Sequence, residues 1–217
     1  MKGKILITGS TGFVGRNLVP KLINEGYDLI EITRDISKST ALFHDNTLKI
    51  LADDVDFKEK IIQFQPEVVI HLASYLTPSD NYEDIEKLIS TNILFLSKIL
   101  DAIANIELKL FINTGTFAEY LDGDDKLIPA YFYAATKTAS RSIIEYFSMA
   151  YKFNYIHVIP YTIYGGVDTK KKILDLLIQS IDSEKPIDLS PGDQVLDFIH
   201  INDVVEFYIS LVNQKEH

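Results

Sequence analysis

The chain alternates short, continuous apolar runs with longer stretches whose apolar residues recur every three or four positions. Lys4-Ile5-Leu6-Ile7-Thr8 is one such run and ends in glycines, as a buried strand does. From Gly12 to Glu25, Phe13, Val14, Leu18, Leu22 and Ile23 follow helical spacing, and Gly26 stands where a helix C-cap belongs. Leu29 to Thr33 reads as a second strand, Phe57 to Phe64 as a helix, and Glu67 to Ala73, introduced by Pro66, as a buried strand. The pattern then predicts a long helix over Tyr82 to Ile103, a strand over Leu108 to Asn113 and a helix over Tyr133 to Tyr151. A strand over Tyr155 to Pro160 and a helix over Ile173 to Ile181 follow. Alternation with unbroken apolar strands predicts an α/β fold, a doubly wound parallel sheet with helices on both faces. No repeat or Gly/Ser linker interrupts it, and polar Leu121 to Pro129 reads as a surface loop.

Composition narrows the partners. At 217 residues and 47% hydrophobic, the chain can bury a full core. Its 21 basic and 31 acidic residues leave a net charge of −10, which repels nucleic-acid phosphates and anionic membranes. No nucleic-acid or membrane partner is expected, and any anionic ligand must be held locally. The absence of cysteine excludes disulfides, thiolate catalysis and Cys-ligated zinc, and no metal site is expected. No apolar run reaches membrane-spanning length and no secretory segment precedes the first strand, so the expectation is a cytoplasmic protein.

Thr8-Gly9-Ser10-Thr11-Gly12-Phe13-Val14-Gly15 joins the first strand to the first helix. Gly9 permits a tight turn, Gly12 lets a pyrophosphate approach the backbone, and Gly15 lets the helix pack closely on the sheet. The helix N-terminus supplies N–H groups and positive potential for phosphates. The plainer reading is an ordinary strand-to-helix turn.

The G-x-x-G-x-x-G spacing resembles the extended short-chain dehydrogenase/reductase family, the nucleotide-sugar epimerases, dehydratases and reductases. The resemblance implies a Rossmann dinucleotide domain over residues 1–165. Residues 166–217 would be partial elements of a reduced or truncated substrate lobe, plus a motif returning to the first domain. It implies cofactor contacts from Gly9, Thr11, Gly12, Phe13 and Val14. Dinucleotide-binding folds commonly end their second strand in a carboxylate for the ribose 2′-hydroxyl. Here Thr33 takes that place and Arg34 follows, which suits a 2′-phosphate and favours NADP. Glu31, nearby on the same strand, keeps NAD possible, and Arg34 could equally be a solvated loop residue. Asp54 and Val55 resemble the family stretch that reads the adenine, although Asp53 lies beside them.

Tyr133 and Lys137 form Y-x-x-x-K at the start of a predicted helix, which puts both side chains on one face. A phenol ionises near pH 10 and is a poor acid or base at neutrality; a neighbouring ammonium should draw it down. In the family this pair is catalytic, and the Lys also binds the nicotinamide ribose. Counting four residues back from Tyr120, as the family pattern does, gives Thr116 as the hydroxyl partner, with Thr114 the weaker candidate. The plainer reading of Thr116 is a turn-capping threonine at a strand end.

Further matches extend the resemblance along nearly the whole chain. Val69 to Ala73, with Leu72, Ala73 and Ser74, resembles the strand that passes the cofactor, and His71 within it reads as a satisfied core histidine. Asn92 matches a residue that braces the active-site region and is counted with the cofactor contacts. Pro160, Tyr161 and Ile163 resemble the segment beside the nicotinamide, and Leu76, Thr116, Tyr133 and Thr162 are the substrate-binding candidates. Within the family, Phe111 to Thr116, Tyr164-Gly165-Gly166, and Ser190 to Gln194 before Asp197-Phe198 look most like the CDP-abequose and CDP-paratose synthase branch. That branch implies NADPH-dependent reduction of a 4-keto group on a nucleotide-linked deoxyhexulose, for O-antigen sugars. Three positions depart from the family: Ile159 and Leu196 replace common arginines and Thr162 replaces an asparagine. The alternatives are a C4 epimerase or 4,6-dehydratase with bound NAD, and a non-catalytic NADP-binding protein. Phe117-Ala118 in place of acidic residues argues against dehydration. Relatives also imply a homodimer through a four-helix interface that here would use the Tyr82–Ile103 and Tyr133–Tyr151 regions.

Overall fold

The structure is a computed structural model that describes residues 2–121, 123, 126–166, 173–181 and 195–214. Ser190 to Gln194, one of the stretches that carry the branch resemblance, lies outside the described residues, as do Asp122, Asp124 and Asp125 of the expected surface loop.

Six strands form one parallel sheet: β1 (Lys4–Thr8), β2 (Asp28–Thr33), β3 (Leu48–Leu51), β4 (Val68–His71), β5 (Leu110–Thr114) and β6 (Asn154–Val158). Their order is β3-β2-β1-β4-β5-β6, so the chain winds outward one way from β1 and then the other way from β4. The doubly wound parallel sheet expected from the pattern is what the chain forms. Side chains alternate between two buried cores, as period-2 strands require. Ile5, Ile7, Leu29, Ile70 and Ile112 pack on one face with α1 (Phe13–Asn24) and α8 (Ile201–Asn213). Leu6, Ile30, Val69 and Phe111 pack on the other with α3 (Phe57–Phe64), α5 (Leu96–Ile103) and α6 (Phe132–Tyr151). Each such fully buried aliphatic side chain contributes roughly 1.5–3 kcal/mol.

Several elements go beyond the sequence pattern. α2 (Ile36–Phe43) is rich in Ser and Thr, poor helix formers; it forms because Asp35 caps it and Phe43 enters the core. β3 is a four-residue edge strand, too short to announce itself by alternation. The expected long helix over Tyr82 to Ile103 is α4 (Tyr82–Ile89), a π-helical segment Ser90–Phe95, and α5 in direct succession. β7 (Thr162–Tyr164) and β8 (Phe198–His200) pair as a small separate sheet. α8 then lies on α1, with Val204, Val205 and Tyr208 filling the core between helix and sheet. α7 (Ile173–Ile181) falls where expected.

Candidate active site

The strand order reverses between β1 and β4, and a crevice opens beyond the C-terminal ends of strands at such a switch point. A cavity of about 390 Å³ occupies that place. Its floor is the β1–α1 turn. Gly9 has φ +71°, and a Cβ there would lie 2.6 Å from the Ala73 backbone nitrogen. A Cβ on Gly15 would lie 2.4 Å from the Gly9 carbonyl oxygen, so only glycine lets α1 approach this closely. Gly12 begins α1 without a side-chain cap, leaving the helix N-terminus to face an incoming anion.

Gly9, Thr11, Gly12, Arg34, Leu72, Ala73 and Ser74, all expected cofactor residues, line this cavity. Three cations line it: Arg16, Arg34 and Lys38. No carboxylate does so among the described residues. The residue types fit a dinucleotide. Ser10 Oγ and Arg16 Nε are buried beside the cavity without a hydrogen-bond partner among the described residues, and a phosphate oxygen would satisfy such donors. Arg16 and Lys38 were missed in the sequence. Arg16 had a signal: a cation in the first turn of a helix opposes the dipole and needs another reason to be there.

Glu31 does not reach the cavity. It is fully buried one pleat back from Thr33 along β2, where Ser39 Oγ donates to it at 2.8 Å and Thr47 Oγ1 also donates. The route to a ribose carboxylate through Glu31 is therefore closed. Thr33 stands at the strand end instead and spends its hydroxyl on the Asp35 backbone.

Other expected contacts fall elsewhere. Asp54 holds Lys60 at 2.5 Å and accepts the Asp56 N–H, Val55 is 92% exposed, and Ala52 is the neighbour that lines the cavity. Phe13 and Val14 pack their side chains against the core, and Ile163 is part of it. Asn92 is a brace and not a cavity residue: its side chain accepts from Tyr75 N–H and donates to Tyr75 C=O and Thr136 Oγ1. Thr114 bonds Tyr208 of α8 at 2.6 Å. Pro160, Tyr161, Thr162 and Leu76 lie outside the cavity, and Tyr161 stacks on Phe117. His71 is the satisfied core histidine expected: it bonds Thr8 Oγ1 at 2.9 Å, and burial pushes its pKa down to about 3.

At the other end, Tyr133 and Lys137 lie one turn apart on α6, exposed 7% and 3%. Ser74 lines the cavity and is close enough to the Tyr133 phenol to lower its pKa, so the two places are joined. The i, i+4 spacing predicts an ammonium that draws the phenol down. In the structure burial dominates and pushes Tyr133 up, against the Ser74 hydroxyl and with help from Tyr131 and Glu119. Lys137 is drawn down to about 8 by burial, with Glu119 opposing. Thr116 is, as the plainer reading had it, a cap. It precedes a 3-10 turn, Phe117–Glu119, and its Oγ1 accepts the Ala118 N–H at 3.3 Å. Its own O–H proton is left for a further acceptor.

Residues 5–217 match the NAD dependent epimerase/dehydratase family. The chain belongs to that family. It is accordingly an NAD(P)-dependent enzyme, and a nicotinamide dinucleotide is its cofactor. Among similar proteins, the CDP-abequose synthase of Yersinia pseudotuberculosis is 26% identical over 215 residues, covering 97% of this chain and 73% of that protein. That of Salmonella muenchen is 29% identical over 218 residues, covering 97% and 70%. Among solved structures, UDP-glucuronic acid 4-epimerase from Bacillus cereus in complex with UDP-glucuronic acid and NAD superposes with a TM-score of 0.83 at 22% identity. It covers 98% of this chain and 74% of that one, and attests the fold. No described helix is long and apolar enough to cross a membrane, and the described residues hold no cluster fit for a metal ion.

Proposed function

We propose that this family member uses NADPH to reduce the 4-keto group of a nucleotide-linked deoxyhexulose, in the making of sugars for a cell-surface polysaccharide. The observation that carries the reading is the charge at the ribose end of the cavity. Arg34 and Lys38 line it without an ion pair among the described residues, while Glu31 is withdrawn into the core. Cations without a carboxylate favour a 2′-phosphate over a bare hydroxyl. An epimerase reading, drawn from relatives such as the putative UDP-glucose 4-epimerase of Methanocaldococcus jannaschii, lacks that support. The similarity to CDP-abequose synthases points the same way.

When bound, the reduced nicotinamide supplies the hydride for C4. Tyr133 supplies the proton for the carbonyl oxygen, and burial suits it to that task by keeping the phenol protonated. Lys137, a buried amine one turn on, favours the phenolate left behind whenever it carries its charge. Thr116 offers its remaining hydroxyl proton to the substrate oxygen. Leu76 and Thr162 are proposed for the sugar side. With Ile159 and Leu196 uncharged, the diphosphate would use other residues.

The family resemblance motivates a homodimer through the surfaces of α4, the π-helical segment, α5 and α6. Leu94, Tyr146 and Met149 are exposed there, and sedimentation tests that assignment. The function itself is tested by a screen for NADPH oxidation against CDP-, dTDP- and GDP-linked 4-keto deoxysugars. Turnover on at least one is expected; none, with NADPH bound, would refute the reading.

A further inference from the structure

Beneath the Thr116 turn lies a buried polar network that the proposed chemistry has not used. Glu119 closes the 3-10 turn and is fully buried. Its Oε1 accepts the Thr116 backbone N–H at 2.8 Å and lies 3.3 Å from His157 Nε2 on β6. Its Oε2 lies 2.8 Å from Arg141 Nε on α6. His157 Nδ1 is 2.9 Å from Asn113 Nδ2 on β5. An amide nitrogen only donates, so Nδ1 accepts and Nε2 carries the hydrogen that goes to Glu119. The same Asn113 nitrogen reaches Ser140 Oγ at 3.4 Å, and Ser140 donates to the Lys137 carbonyl at 2.6 Å. The contacts run unbroken from the backbone of Lys137 to the backbone of Thr116.

The fold makes room for this arrangement. A Cβ on Gly115 would lie 2.2 Å from His157 Nε2 and 2.5 Å from Glu119 Oε1. A buried carboxylate costs several kcal/mol before its partners offset it. Capping a three-residue turn needs only a neutral acceptor, so turn formation does not account for a charge here.

We propose that Glu119, through His157, Asn113 and Ser140, is a positioning residue that holds the Thr116 turn, and with it the Thr116 hydroxyl, in register with the Lys137 turn of α6. This rests on the reductase reading given above. The groups facing Glu119 are Lys137, Arg141 and Tyr133 of α6 and His157 of β6, with Tyr120 held by Arg141. His71 of β4 also faces Lys137. Burial works against the charge of Glu119, but the bonds from His157 and Thr116 and the charge of Arg141 outweigh it and hold the carboxyl below its ordinary range. Burial pushes His157 down, so it stays neutral near pH 7 and donates from Nε2. Glu119 thus presents a negative charge at neutral pH that opposes the loss of the Lys137 proton.

The test uses the full chain with 13C-labelled lysines, the Lys137 signal being assigned by its loss in Lys137→Met. In Glu119→Gln, the Lys137 pKa is expected to fall by about one unit, and the basic limb of the pH–rate profile to move with it. Turnover on the 4-keto substrate should drop about tenfold, with KM within about twofold. In His157→Gln, which keeps the carboxylate, turnover should fall similarly while the Lys137 titration shifts by less than about half a unit. A folded Glu119→Gln with wild-type Lys137 titration and turnover overturns the proposal. Should Glu119→Gln fail to fold, a folded His157→Gln with wild-type turnover overturns it. If the wild-type protein reduces no 4-keto sugar nucleotide, the functional reading fails, and the Lys137 titration still decides the electrostatic role of Glu119.

Discussion

Ser74 lies close enough to the Tyr133 phenol to oppose the rise in its pKa, and the same residue lines the cavity that opens over Gly9. One side chain therefore connects the loop after β4, where a dinucleotide would lie, to the helix that carries the Tyr133–Lys137 pair. Replacing Ser74 with Ala removes a hydroxyl that opposes the rise in the phenol's pKa. Turnover should fall about tenfold, with NADPH affinity within about threefold, as fluorescence titration and steady-state kinetics would show.

The cofactor choice rests on Arg34 and Lys38. Arg34→Ala and Lys38→Ala should each weaken NADPH binding by about 10- to 100-fold, the loss of one charge-assisted contact, and leave NADH nearly unchanged. Calorimetry with both nucleotides decides it. An unchanged NADPH-to-NADH ratio in both variants would show that these cations are ordinary surface residues.

Tyr133→Phe removes the proton donor but little volume. Turnover should drop about 10²- to 10⁴-fold while NADPH still binds. Lys137→Met removes a buried ammonium whose folded pKa, about 8, lies below the ordinary 10.5. Between those values the unfolded chain holds more protons than the folded one, so wild-type stability rises with pH across that window. In Lys137→Met that rise should be missing, and near pH 7 the variant should be more stable by about 1–3 kcal/mol though inactive. Urea unfolding from pH 7 to 10.5 measures both.

His71 gives the opposite end of the pH range. Its folded pKa, about 3, lies below the ordinary 6.5 because it is buried, so below about pH 6.5 the unfolded chain takes up a proton that the folded chain does not. Stability contributed by the neutral ring is full above that pH and is lost as the pH falls toward 3, at about 1.4 kcal/mol per unit. His71→Gln should flatten this part of the curve. Equal slopes in the two proteins between pH 6 and 4 would contradict the assignment.

Gly15→Ala places a Cβ against the carbonyls of Gly9 and Ser10, backbone atoms that cannot swing aside. The variant should lose about 1–3 kcal/mol and bind NADPH more weakly, because the turn must open to relieve the clash. Thermal melts with and without NADPH separate the two effects.

The sheet was legible because its central strands, such as Ile5-Leu6-Ile7 and Val68-Val69-Ile70, are buried on both faces and read as unbroken apolar runs. α2 and β3 were not, because Ser39 and Thr47 form their structure around Glu31, a tertiary contact that no local pattern announces. The glycine turn and the i, i+4 pair at Tyr133 and Lys137 were legible because backbone geometry dictates their residues and spacing. The direction of the Tyr133 pKa shift was not, because it depends on burial, which outweighs the opposing Ser74 hydroxyl and is fixed only when α6 docks on the sheet. Asp54, Asn92 and Ile163 matched family positions by sequence, yet their side chains serve an ion pair, a brace and the core.

The most direct test is a crystal structure of the protein with NADPH. The account predicts the pyrophosphate over Gly12 and the α1 N-terminus, the 2′-phosphate between Arg34 and Lys38, and the nicotinamide against Ser74 with its C4 facing the Tyr133 hydroxyl. A nicotinamide bound away from Tyr133, or a cavity between β1 and β4 that takes no dinucleotide, would contradict it.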